Sequence, residues 1–134
     1  SAKYYVPSRN LVFLSYATSL AESFFIKNKK RYDIFVGFKN EGKEHYPDTS
    51  MRFLKIMNEI NEISSLSNPR IIAPFIKKDK DDIIKLGMKI GVNFKNTFSC
   101  YVSGNKHCGS CLSCMLRKEG FYWTNVRDPT EYYD

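Results

Sequence analysis

Four cysteines stand at Cys100, Cys108, Cys111 and Cys114, and the 99 residues before them contain none. The last three form a C-x2-C-x2-C run. A spacing of two lets neighbouring thiolates turn toward one ion, and four thiolates fill a tetrahedral zinc shell with no open position for water. The cluster therefore reads as a structural Zn2+ site. Gly109 and Ser110 give the knuckle room to turn, and Gly104 opens the loop after the first ligand. Other readings stay open. An iron–sulfur cluster also takes four thiolates. A redox C-x-x-C pair calls for a thioredoxin-like pattern around it, which the sequence lacks. Free buried cysteines are the plainest option. A disulfide framework would scatter cysteines along the chain instead of gathering them, so the clustering also points to a reducing compartment. His107, beside Cys108, reads as a solvated loop residue rather than a ligand.

These residues need a scaffold. Ser8 or Asn10 can cap a helix over about 10–26, with Phe13, Ala17, Leu20, Ala21 and Phe24 at helical spacing and Leu11, Leu14 and Phe25 widening the stripe. That helix is expected to be well buried. Arg9 and Asn10 sit at its start, where unpaired N–H groups favour anions. Residues 33–38 read as a buried strand ending in Gly37, and a polar loop follows to Thr49. Asp48 there suits an N-cap. A helix over about 50–65 carries Phe53, Leu54, Met57, Ile60 and Ile63 on one side. Residues 70–75 read as a second strand, with Pro74 at its end or on an edge. A third helix covers about 78–90, with Asp79, Asp81 and Asp82 in its first turn and Gly91 as its stop. Helices alternating with strands imply an α/β layer with parallel strands. Two strands make a poor sheet, so this looks like part of a larger α/β domain with an exposed apolar face.

Composition sets the outer limits. The chain has 134 residues, a length that fits one domain. Hydrophobic residues make up 43% and aromatics 15%, which argues against disorder. No apolar run reaches the roughly 18–20 residues of a membrane-spanning helix. No signal peptide is visible in residues 1–7, so the expected location is cytoplasmic. The formal net charge of +7 favours anionic partners. Part of that excess has a plain origin: Lys27, Lys29, Lys30 and Arg31 crowd a helix C-terminus, where cations offset the dipole. A zinc-stabilised RNA-binding module is one reading of the charge and the aromatics. Most aromatics fall at core spacings, which argues against it and against direct nucleic-acid binding. Phe121, Tyr122 and Trp123 read as core or interface.

Several segments occur together in one order: Val6-Pro7-Ser8-Arg9-Asn10, Val36-Gly37, Tyr46-Pro47-Asp48, Ala73-Pro74, Asp79-Lys80-Asp81-Asp82-Ile83, Leu86-Gly87, and Thr97-Phe98-Ser99-Cys100-Tyr101 with Cys108-Gly109-Ser110-Cys111-Leu112-Ser113-Cys114 and Arg117. In these the chain resembles the 7-cyano-7-deazaguanine synthase family of queuosine biosynthesis, from Val6 to about Phe121. The resemblance implies a Rossmann-like adenine-nucleotide α-hydrolase fold. It implies ATP-dependent conversion of 7-carboxy-7-deazaguanine and ammonia to the nitrile, with Mg2+ accompanying ATP in the complete enzyme. It implies zinc on Cys100, Cys108, Cys111 and Cys114, and a homodimer. It assigns catalytic roles to Arg9 and Lys80, and substrate binding to Asn10, Gly37, Tyr46, Asp48 and Ser99.

Two departures stand out. The family's Ser-Gly-Gly-x-Asp-Ser phosphate loop is absent from the 134 residues, and no other Gly-rich loop replaces it. The sequence thus reads as a C-terminal portion, expected to be inactive alone and to meet an N-terminal partner segment or a second copy. Residues 1–96 would be the α/β part and 97–134 the zinc loop and a C-terminal helix, packed as one unit with it. Where the family often has Cys-Arg after Tyr-Pro-Asp, this chain has Thr49-Ser50. A tRNA-thiolating ATP pyrophosphatase is a related alternative. It needs a reactive cysteine outside the metal shell, and all four are already assigned.

Overall fold

The computed structural model describes residues 5–39, 46–102 and 104–133. The first helix, α1 (Arg9–Asn28), is two residues longer at its C-terminus than expected, and it ends where Lys29 turns left-handed (φ 61°) and donates its N–H to Phe25 at 2.8 Å. Its start differs in kind from the expected cap. Ser8 occupies the N-cap in a left-handed conformation (φ 54°) and its hydroxyl caps nothing. Burial also differs. Only Leu14 and Ala21 are buried, while Phe13, Tyr16 (74% exposed), Leu20 and Phe24 face outward. The wide apolar stripe is real, but the described residues cover only its Leu14 edge.

Residues 5–77 form one compact unit and residues 78–133 another. The third helix packs with the C-terminal one, so both lie in the second unit.

In the first unit, β1 (Ile34–Phe35) pairs parallel with β2 (Ile71–Ile72), Ile34 opposite Ile71. The parallel arrangement is the one the helix between them requires. Both strands are shorter than the apolar runs suggest, and β1 is not buried: Phe35 is 69% exposed. Helix α2 (Met51–Ser64) connects them, entered through a 3-10 turn over Pro47–Thr49. Ser50, one of the two residues that depart from the family pattern, is its N-cap and accepts from the Phe53 N–H at 3.1 Å. Leu14, Met57 and Ile71 form the core, flanked by Ile34, Val36, Phe38, Phe53 and Leu54. Residues 40–45 of the polar loop lie outside the described residues.

Polar side chains tie this unit together. Asn61 is fully buried; its Oδ1 accepts from Thr18 at 3.1 Å and its Nδ2 donates to the Pro69 carbonyl at 2.8 Å. Glu22 on α1 accepts from the backbone N–H groups of Leu66 and Ser67 and from the Ser67 hydroxyl. Asn58 on α2 donates to the Ile71 carbonyl at 3.0 Å and accepts the Ile71 N–H at 2.8 Å. One amide side chain therefore closes the outer edge of β2.

The second unit is built on α3 (Lys80–Lys89) and α4 (Leu112–Trp123). Asp79 and Asp82 make a capping box at the start of α3, and Gly91 turns at φ 76° just past its end, as the sequence suggests. The helices touch closely at Gly120. A Cβ there would lie 2.9 Å from Ile84 Cδ1 and 3.0 Å from Lys80 Cγ. Phe121 is buried and meets Phe94 edge to face at 5.2 Å, while Tyr122 and Trp123 are exposed. Of the three α4 aromatics expected in a core or an interface, Phe121 therefore takes the core place and the other two do not.

Candidate metal centre and substrate residues

The loop from Thr97 to Ser110 and the start of α4 bring four sulfurs together. The ligand atoms of Cys100, Cys108, Cys111 and Cys114 all lie within 4.8 Å of one another. Cys111 is the N-cap of α4 and Cys114 lies in its first turn, where the helix end favours thiolate. Backbone amides point at the sulfurs. Cys100 Sγ accepts from the N–H of Val102 and of Cys108, both at 3.3 Å, and Cys108 Sγ accepts from the Cys111 N–H at 3.2 Å. Gly109, at φ 73°, allows the chain to turn between the second and third ligands. No cysteine is in a disulfide. The 4.0 Å between Cys108 and Cys114 sulfurs is close to the ~3.8 Å that a tetrahedron with 2.3 Å bonds requires.

The titration pattern tests the fit of a cation. Amide donors at Ser110 and Cys111 bring the Cys108 thiol down to about 6. Burial and the neighbouring Cys111 push Cys114 up to about 12. Burial also opposes ionisation of Cys111, but amide donors outweigh it and its pKa is lowered. Cys108 and Cys111 are prepared for negative charge and Cys114 is not, as expected when thiolates gather this closely with no cation among them. The donor set and its geometry fit a divalent metal of the zinc type.

Around the sulfurs runs a frame that sequence reasoning largely missed. His107 is not solvated: it is 5% exposed, lies 4.3 Å from the Phe98 ring, and its Nε2 accepts the Ser99 N–H at 3.0 Å. Burial, then the Arg117 charge, lowers its pKa and favours the neutral ring, and with Nε2 accepting, the proton of that neutral ring belongs on Nδ1. Arg117, near the cysteines in sequence, could be expected to act as a cation beside the thiolates. It is instead buried and committed elsewhere: Nε donates to Thr130 at 2.6 Å, one terminal nitrogen to Ser99 Oγ at 3.2 Å, the other to the Phe94 carbonyl at 3.1 Å. Asp128 pairs with it at 3.7 Å and accepts from the Tyr132 hydroxyl at 2.5 Å. The signal was available, because Arg117 lies three residues past Cys114 on the same helix face. Lys118 donates to the Gly109 carbonyl at 3.1 Å and Lys106 pairs with Glu131 at 3.7 Å.

The substrate candidates fall into both units. In the first, Arg9 is exposed at the first position of α1, and Asn10 is joined to Asp48 twice: its backbone N–H donates to Asp48 Oδ2 at 3.1 Å and its side chain donates to the Asp48 carbonyl at 3.3 Å. Asp48 does not cap α2, which Ser50 does. It is buried and satisfies an open amide at the start of α1. Tyr46 stacks on Tyr5, centroids 5.5 Å apart and planes within 8°. Gly37 lies beyond β1 with open space where a side chain would be. In the second unit, Lys80 opens α3 with its methylene stem against Gly120, and Ser99 is bound at both its N–H and its hydroxyl.

Residues 1–125 match the family model described as queuosine biosynthesis protein QueC. Relatives named 7-cyano-7-deazaguanine synthase include those of Methanobrevibacter smithii, 43% identical over 128 residues, Methanothermobacter thermautotrophicus, 40% over 130, and Rickettsia felis, 39% over 132. The matches cover 96%, 97% and 96% of this chain and 54%, 56% and 57% of those proteins. The chain spans about half the length of the curated relatives it matches.

Proposed function

The chain belongs to the QueC family, and on that premise we propose that it supplies the C-terminal part of a 7-cyano-7-deazaguanine synthase. Such an enzyme is an ATP-dependent, nitrile-forming C–N ligase. It uses ATP with Mg2+ to activate the carboxylate of 7-carboxy-7-deazaguanine, takes ammonia, and then activates the resulting amide. The observation that carries the reading is identity of about 40% along nearly the whole chain, joined to a four-sulfur cluster assembled as a metal centre.

Cys100, Cys108, Cys111 and Cys114 would hold a structural Zn2+. With four thiolates bound, the ion contributes folding energy to residues 97–117 and offers no position for a reacting water. Arg9, exposed at the first position of α1, would offer a guanidinium to a phosphate or carboxylate at the positive end of that helix. Lys80 offers a point charge at the start of α3. Asn10, Tyr46 and Asp48, already gathered at one end of α1, would hold the planar deazaguanine together with Gly37, whose missing side chain lets a ring approach the backbone. Ser99 would contribute through a hydroxyl oriented by Arg117. The partner is an upstream segment carrying the phosphate loop or a second copy, the substrate is a small molecule rather than a nucleic acid, and the setting is cytoplasmic. Among the described residues no helix is long and apolar enough to cross a membrane.

The 134 residues alone should not turn over, because a cradle of fixed amide donors around the phosphates is required and they contain no such loop. The test supplies ATP, Mg2+, ammonium and 7-carboxy-7-deazaguanine to the chain alone and to the chain fused behind the upstream segment of a relative. AMP and nitrile should form only with the fusion, and Arg9→Ala or Lys80→Ala in the fusion should cut kcat/KM by about 100-fold or more. Turnover by the chain alone at about one per second, or full activity of both variants, would refute the reading.

A further inference from the structure

The segment after α4 returns to the cysteine loop and grips it from several sides. Its backbone pairs with His107: the His107 N–H donates to the Glu131 carbonyl at 3.1 Å, and the Tyr133 N–H donates to the His107 carbonyl at 2.8 Å. Its side chains pair with Arg117: Thr130 accepts from Nε, and Asp128 sits at 3.7 Å. Tyr132 donates to Asp128 and lies edge-on to the His107 ring at 5.7 Å. Lys118, while bound to the Gly109 carbonyl, stands 4.3 Å over the Tyr132 ring.

The gripped residues are the immediate neighbours of the ligands. His107 precedes Cys108, and its ring holds the amide of Ser99, which precedes Cys100. Arg117 lies one turn beyond Cys114 and holds the Ser99 hydroxyl. Gly109, between the second and third ligands, faces Tyr132, whose ring would lie 3.5 Å from a Cβ placed there. This returning segment lies beyond the residues matched by the family model.

We propose that residues 128–133 form a strap that holds the four sulfurs in their metal-binding arrangement and thereby sets how slowly the ion leaves. The physical basis is preorganisation. Release requires the ligand loop to open, and opening must break the strap's backbone pairs with His107 and its contacts with Arg117. Groups that orient metal ligands without touching the ion typically change affinity by about 10- to 100-fold. The proposal rests on the reading of the cluster as a metal centre, and the experiment separates the two.

The full 134-residue chain is loaded with Zn2+, or with Co2+ as a spectroscopic stand-in, and compared with a version ending at Arg127, with Thr130→Val, with Tyr132→Phe, and with Lys89→Ala as a control outside the strap. Metal content, the Co2+ absorption of a tetrahedral thiolate site, and release into excess chelator are measured. One ion per chain and a tetrahedral spectrum are expected in all. Release should be about 10- to 100-fold faster in the shortened chain, several-fold faster in Thr130→Val and Tyr132→Phe, and unchanged in Lys89→Ala. Release within twofold of the unaltered chain in all strap variants overturns the strap. An unaltered chain that binds no ion overturns the metal reading and the strap with it. If the shortened chain loses its helical circular dichroism, Thr130→Val and Tyr132→Phe decide, since each exchanges a hydroxyl for an apolar group or hydrogen and leaves the backbone pairs intact.

Discussion

Replacing Asn58 by Ala should destabilise the first unit through two backbone groups of one residue. Asn58 satisfies both the N–H and the carbonyl of Ile71, at 2.8 and 3.0 Å, and its Nδ2 also reaches the Leu54 carbonyl at 3.0 Å. Ile71 is 3% exposed, so removing the amide leaves a donor and an acceptor in a largely dry place. Each buried group left without a partner costs about 1–3 kcal/mol, or about 2–6 kcal/mol for the pair. Two effects reduce this. Asn58 is only half-buried, so water can replace part of what is lost, and Ala is the better helix former by about 0.5 kcal/mol. The expected loss is about 2 kcal/mol, which for a slope of about 1–2 kcal/mol per molar urea lowers the midpoint by about 1–2 M. Hydrogen exchange at the Ile71 amide should accelerate with it. Asn58→Asp sharpens the argument. The carboxylate can still accept the Ile71 N–H, but its second oxygen faces two carbonyls. Those carbonyls favour the protonated acid, so its folded pKa lies above the unfolded value near 4. The variant should approach wild-type stability below about pH 4 and lose it as pH rises through the folded pKa. An Ala variant whose midpoint lies within about 0.3 M urea of wild type, with Ile71 exchange unchanged, would show that Asn58 does not close the strand edge.

Two further outcomes test the second unit. Cys111→Ser should abolish stoichiometric metal binding and unfold residues 97–117, read as lost chemical-shift dispersion there, because metal binding and loop folding are coupled; a variant that keeps its full complement of metal would contradict a four-sulfur site. Asp128→Asn should remove an acid-sensitive part of stability. Burial opposes the Asp128 charge, but hydrogen bonds from Thr130 and Tyr132 outweigh it and the pKa is lowered. Its contribution is therefore present above the unfolded pKa near 4 and lost as pH falls through the lower folded value, so the gap in urea midpoint between wild type and Asp128→Asn should be widest at neutral pH and shrink below about pH 4.

What was legible in the sequence was what periodicity and spacing encode. Alternating apolar runs and helical stripes place α1, β1, α2, β2 and α3 in order and require parallel strands. The cysteine spacing marks the metal centre without any knowledge of the fold. Hidden were the polar residues that serve as structure. Asn58, Asn61 and Glu22 lie among surface-like positions of amphipathic helices, and only their distant partners, Ile71, Pro69 and Ser67, reveal what they do. His107 and Arg117 are visible as polar residues near the cysteines, and such residues read as solvated; their burial depends on partners distant in sequence, Thr130 for Arg117 and the backbone on either side of Tyr132 for His107. Burial was misjudged on α1 because an apolar stripe tells how much surface a helix can hide and not what is present to hide it. The close seating of α3 on α4 was not legible because Gly120, a lone glycine within a helical pattern, carries no sign of it.

The Asn58 contact also gives the sheet a direction. On the far side of β2 the hydrogen-bonding positions of Ile71 are taken by a side chain anchored on α2, so no strand can be laid there without evicting that amide. On the other side, β1 pairs among the described residues with β2 alone, and Phe35 is turned largely to solvent. The two-stranded ribbon is thus capped at one margin and extendable at the other, like a zip with a stop at a single end. Any strand that joins it, from the same polypeptide or another, has one margin to choose. Because β1 is itself part of a parallel pair, a newcomer from the same polypeptide that continues that arrangement would have to arrive by a crossover rather than a hairpin.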